Sequence, residues 1–171
     1  MSGRIFPFTL AAAALIAGAP EPLLAVTPPL DASASVDLLQ ALTLQKLEDM
    51  EFGAVTVTAP GTAVIDPISN SMATSGGVTA VSGTPHAARF RGAASGSAVV
   101  IIRLPKNPVA LTRVGGTETI MLSDFTLDGP SKRAMAGSPT FEFRVGGMLT
   151  IPANPVDGDY EGDFTVTAQY P

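Results

Sequence analysis

At 171 residues, 46% of them hydrophobic, the chain has enough material for one ordinary domain and a leader, which excludes a globally disordered protein. A net charge of −5 argues against a nucleic-acid or anionic-membrane partner, and the absence of Cys excludes a disulfide framework, a thiolate metal site and a Cys nucleophile. The 17 glycines and 15 prolines are spread along the chain between short β-branched and aromatic runs, the composition of an all-β domain with many turns.

Residues 1–18 have the form of a secretory signal peptide. Arg4 is the one charge ahead of an apolar, Ala-rich stretch over 5–17 that is too short to span a bilayer, so no stable membrane span is expected. Small residues suited to cleavage occur at Gly18 and again at Ala32-Ser33-Ala34, which brackets the cut between 18 and 34. Residues 19–40 read as an extended linker or N-terminal strand. They are proline-rich at first and then alternate, with Ala32, Ala34, Val36 and Leu38 on one face and Asp31, Ser33, Ser35 and Asp37 on the other. Such a segment can serve as a first strand of its own domain or insert into a neighbouring subunit.

Residues 41–171 are assigned to a β domain. Leu42-Thr43-Leu44 opens a strand, and Gly53 predicts a bulge where the apolar parity changes between Phe52 and Val55. Pro60-Gly61 reads as a turn, 62–66 as a short strand ended by Pro67, 69–77 as a mobile polar loop and 78–81 as another short strand. Ala88 and Phe90 share a face opposite Arg89 and Arg91, which read as a solvated face. The unbroken apolar run 98–102 predicts a central strand covered on both sides. A strand over 109–114 precedes a Gly115-Gly116 turn, and the strand over 117–127 slips parity at Ser123-Asp124. Residues 128–139 form the longest predicted loop, followed by Phe141, Phe143, Val145, Gly147, Leu149 and Ile151 on one clean face, with Gly146-Gly147 permitting a bend.

The last stretch alternates without error. Tyr160, Gly162, Phe164, Val166, Ala168 and Tyr170 make an apolar or small face, and Asp159, Glu161, Asp163, Thr165, Thr167 and Gln169 a polar one. About nine or ten strands, with no helix after the signal, predict a single immunoglobulin-like β-sandwich.

Reaction chemistry finds little support. His86 is the sole histidine and no G-x-S-x-G elbow accompanies it, so it reads as a strand or rim residue; no catalytic residue, cofactor or metal is expected. Asp157, Asp159, Glu161 and Asp163 imitate a calcium loop, but an EF-hand needs Glu where Ala168 stands. A looser surface Ca²⁺ site from Asp159, Glu161 and Asp163, or an edge whose carboxylates discourage pairing, both fit the residues.

Three pieces together resemble a family. They are Leu42-Thr43-Leu44 with Met50-Glu51-Phe52-Gly53, Gly76-Gly77-Val78 with Ala88-Arg89-Phe90, and the stretch 143–154 running into 158–167. They resemble the bacterial domain-of-unknown-function family 4402 over about residues 40–170, the last third being the specific part. The resemblance implies a small exported protein of Gram-negative bacteria, in the periplasm, at the cell surface or outside the cell, and supplies no activity. The last strand, with Gly158 fourteenth from the final residue and Tyr170 next to last, also resembles the C-terminal motif of chaperone–usher pilus subunits. That likeness implies a pilin-like fold, a periplasmic chaperone pairing along Gly158 to Tyr170, and homo-oligomers or fibres built by strand exchange. Ala32, Ala34, Val36 and Leu38 would then be the donor. Two departures stand out: the disulfide common in those subunits is absent, and Ala32 and Ala34 are small for a donor. The alternative is a monomeric binding module that recognises glycan or protein through 69–77 and 128–139, although neither segment holds Trp or Tyr.

Overall fold

The computed structural model describes residues 35–171, and all its strands belong to the unit Asp37–Pro171. In chain order they are β1 Thr43–Glu48, β2 Ala54–Asp66, β3 Ser71–Ser82, β4 Ala88–Ala93, β5 Val99–Arg103, β6 Val109–Arg113, β7 Thr119–Leu127, β8 Lys132–Ala134, β9 Thr140–Ile151, β10 Tyr160–Glu161 and β11 Thr167–Gln169. No helix occurs among the described residues. Every pairing is antiparallel. A large sheet runs β1-β4-β9-β7-β6-β10 with the β2–β3 hairpin also on β9, and a three-stranded sheet runs β11-β5-β8. The predicted all-β sandwich is the observed class.

β9 is the spine of the large sheet. One of its edges pairs with β7 over 145–150; the other is shared end to end, β4 taking 140–145 and β2 taking 147–151. Its alternation supplies the core directly, since Phe143, Val145, Leu149 and Ile151 are all buried. Phe143 stacks between Phe90, at 5.3 Å between ring centroids, and Phe141, at 6.1 Å. The handover from β4 to β2 falls at Gly146, where a Cβ would collide with the Ile65 carbonyl oxygen and sit 2.6 Å from Pro67 Cδ. The glycine pair therefore lets two strands crowd one edge within the same sheet. β9 stays in the large sheet throughout.

The other parity breaks behave as the sequence predicts. Gly53 has φ 66° and ends the connection into β2, and the β7–β9 register shifts between Ser123 and Thr126 with Asp124 at φ 47°. β5 is the central strand of its sheet, with Val100 and Ile102 fully buried.

Three expectations fail. Pro60-Gly61 is not a turn: β2 runs through it, with a register shift between Val57 and Gly61. The predicted loop 69–77 is mostly β3, because a solvated hairpin arm needs few apolar residues. Its turn is confined to 67–70, where Asp66 accepts hydrogen bonds from the Ile68 amide (2.8 Å) and the Ser69 hydroxyl (2.9 Å). The predicted loop 128–139 contains β8, and it is pinned by Arg133, which pairs with Asp128 at 2.5 Å and lies 5.7 Å over the Phe143 ring.

Gly146→Ala tests the shared edge. It is expected to destabilise the fold by about 1–3 kcal/mol through overpacking. Gly129→Ala, whose Cβ meets only the Arg133 guanidinium at 3.5 Å, is expected to stay within about 0.5 kcal/mol. Denaturant midpoints of the two variants measure the difference.

Candidate functional site

The last predicted strand is divided. β10 adds to the large sheet, Tyr160 opposite Arg113 and Glu161 opposite Thr112, whereas β11 adds to the small sheet, Ala168 opposite Ile102. Between them, residues 162–166 pair with no strand among the described residues. The expected single strand is thus corrected to two short ones joined by an extended crossing. Its alternation survives the correction: Tyr160, Phe164, Val166, Ala168 and Tyr170 are half-buried, and the odd positions are exposed. Gly162 is the exception on the even face, being exposed. The chain leaves β6 there, and a Cβ would come 2.7 Å from the Ala110 carbonyl oxygen.

The crossing borders a gap in the sandwich. One core cluster gathers Ala63, Val78, Leu111, Ile120, Leu122, Leu149 and Ile151, all from the large sheet, and no residue of β5, β8 or β11 packs on it. Its cover comes from half-buried side chains on unpaired or edge segments, chiefly Met50, Phe52, Tyr160 and Phe164. Between these two walls lies a groove of about 1610 Å³ whose floor includes Leu111, Ile120, Leu122, Leu149 and Ile151. Protein interiors close-pack, and voids larger than a water molecule are few. The groove's floor side chains are buried beneath Met50, Phe52, Tyr160 and Phe164, and among the described residues no strand lies within the groove, which is wide enough for an extended segment. On the far side of the crossing, a second pocket of about 340 Å³ separates 163–165 from the 105–108 turn.

The edges of the gap carry free main chain. β2 pairs with β3 over 54–57 but meets β9 only over 61–65, so its other edge is open near the groove. The 162–166 backbone is open as well. Unpaired strand edges are templates for an added strand.

Hydrogen bonds fix the crossing at both ends. Tyr170 Oη donates to the Gln40 carbonyl oxygen at 2.8 Å and accepts from the Ser95 amide at 2.9 Å. At the other end Arg113, opposite Tyr160, bonds Glu118 at 2.8 Å, and the Val114 amide donates to the Asp159 carbonyl oxygen at 2.8 Å. The hydrogen bond from Arg113 holds the Glu118 carboxyl at about 2, against its usual 4.5.

The remaining candidates separate. Val36 and Leu38 are exposed, at 81% and 85%, while Ala32 and Ala34 lie outside the described residues, as does the predicted signal over 1–18. His86 sits at the rim of the large sheet, bridged to Glu51, its Nδ1 2.7 Å from the Thr84 carbonyl oxygen. Arg89 pairs with Glu48 at 3.0 Å and Arg91 with Glu142 at 2.5 Å, so the solvated face is an ion-paired one. Among the described residues no three His, Cys, Asp or Glu side chains converge on a metal position, and Asp159, Glu161 and Asp163 stay apart as neighbours along an extended chain. Met50 and Phe52 stand two residues apart, as on one face of a strand, but nothing in that spacing marks them as a groove wall.

The family model described as Domain of unknown function (DUF4402) matches residues 42–170. No curated protein and no solved structure matches.

Two variants test the ends of the crossing. Tyr170→Phe leaves the partly buried Ser95 amide unpaired and is expected to cost about 1–3 kcal/mol in denaturant unfolding. The Glu118 carboxyl, depressed in the fold, contributes stability that is present above its ordinary pKa and lost as pH falls toward about 2. Its titration followed by NMR should show a midpoint near that value, and Arg113→Gln should return it toward 4.5.

Proposed function

We propose that this chain, which belongs to the DUF4402 family, is an exported, non-enzymatic structural subunit that is completed by an added β-strand, as in a fimbrial or pilus-like assembly. The observation that carries the reading is the groove over core residues flanked by unpaired main chain at 162–164. An incoming extended segment would gain main-chain hydrogen bonds along that edge and bury alternate side chains on the floor. The apolar side chains of Tyr160 and Phe164 set the wall against which its register is read.

Export rests on the sequence of residues 1–18, and the donor role on the alternation of Ala32, Ala34, Val36 and Leu38. The exposure of Val36 and Leu38 supports availability to a neighbour. A chaperone that holds the groove before assembly follows from the same reading. The non-enzymatic reading rests on a chain with one His, no Cys and no nucleophile elbow. No observation favours a binding module acting through 69–77 and 128–139: β3 occupies 71–77, and the second segment holds β8 at 132–134 and is pinned by Arg133.

The test is electrophoresis of the protein sheared from native cells, boiled and unboiled. Species larger than the monomer that survive detergent and collapse only on strong heating are expected. Leu38→Asp in the candidate donor segment and Phe164→Asp in the groove wall should each remove them while export continues, because each breaks a link to a neighbour, whichever protein supplies it. Monomer in both lanes of the unaltered protein would reject the assembly reading.

A further inference from the structure

We infer that the strand entering the groove carries lysines or arginines on its outward face and belongs to a protein other than this one. The inference rests on the strand-acceptor reading of the groove. Six carboxylates line it, those of Asp49, Glu51, Asp157, Asp159, Glu161 and Asp163, and Lys46 is the one cation among its lining residues. Lys46 is already engaged, its ammonium 2.5 Å from Asp49 Oδ1. The imbalance is local: the whole chain has 15 acidic residues against 10 basic ones, and the rim holds six of the acids and one of the bases. Carboxylates above an apolar, low-dielectric floor focus a negative potential along the groove.

A strand lying between 54–57 and 162–166 alternates, with one set of side chains on the floor and the other level with those carboxylates. The chain's own candidate donor would place Asp31, Ser33, Ser35 and Asp37 in the second set. Like charges facing each other across paired strands are destabilising, and like-charge juxtaposition is a common means of rejecting a wrong partner. Lysine or arginine at the same positions meets the rim with opposite charge. The groove thus selects a basic partner strand and disfavours a second copy of this chain. The segment 31–38 is then left for a different neighbour.

The full chain is titrated with three synthetic peptides of equal length. One alternates apolar residues with lysine, one alternates the same apolar residues with glutamate, and one has this chain's own sequence around residues 31–39. The lysine peptide is expected to bind at least about tenfold tighter than the other two at low salt, an advantage that shrinks as salt is raised. In the double variant Glu161→Gln, Asp163→Asn the same preference should fall, with the unfolding midpoint of the free protein unchanged. Equal or tighter binding of the glutamate peptide or of the 31–39 peptide overturns the basic-partner inference and leaves the strand-acceptor reading standing. Binding of none of the three rejects the strand-acceptor reading itself.

Discussion

The inner face of the large sheet is broader than the three strands set against it. β11, β5 and β8 cover the part of the core around Val100, Ile102 and Phe143, and beyond them the floor formed by Leu111, Ile120, Leu122, Leu149 and Ile151 has no sheet above it among the described residues. The chain's answer is to stretch two segments over the exposed part and press Met50, Phe52, Tyr160 and Phe164 down on it. Each large side chain taken fully out of water stabilises by about 1.5–3 kcal/mol, so even half-burial of four is substantial. The arrangement leaves main chain open and a groove between the two walls. The proposed assembly follows from that shortage of strands, since a partner's strand would supply the missing cover and the missing hydrogen bonds together.

The rest of the architecture holds this opening in place. β9 binds β4 and β2 on one edge and β7 on the other, so the floor is built from neighbours of a single spine. Gly146 permits the close approach, and the stacked rings of Phe90, Phe143 and Phe141 anchor the end of β9 that the small sheet does cover. The crossing is tied at Tyr170 to Gln40 and Ser95, and at Tyr160 through β6. A segment fixed at both ends and unpaired in the middle presents a preorganised edge, which lowers the ordering cost of adding a strand.

Much of the fold was legible in the sequence. The β9 alternation, the bulge at Ser123-Asp124, the bend at Gly53 and the central place of 98–102 are local signals that tertiary contacts reinforce. The first half of β3 and all of β8 were not legible: Ser71 to Gly77 is polar and glycine-containing, and its pairing with β2 is set by the partner. Pro60-Gly61 misled because a turn dipeptide can also sit at an irregularity inside a long strand. In the last stretch the sequence revealed which side chains point inward. It could not reveal that the segment changes sheets midway, because periodicity is blind to which neighbour supplies the hydrogen bonds. The groove lay beyond sequence reading for the same reason, being defined by the absence of a neighbour.

Amide hydrogen exchange over residues 162–166, compared between the free subunit and the assembled form sheared from cells, tests the central claim most directly. Fast exchange in the free subunit and strong slowing of alternate amides in the assembly are predicted, because only an added strand would bond them. Amides already protected in the free subunit, or equally fast in both states, would contradict the account.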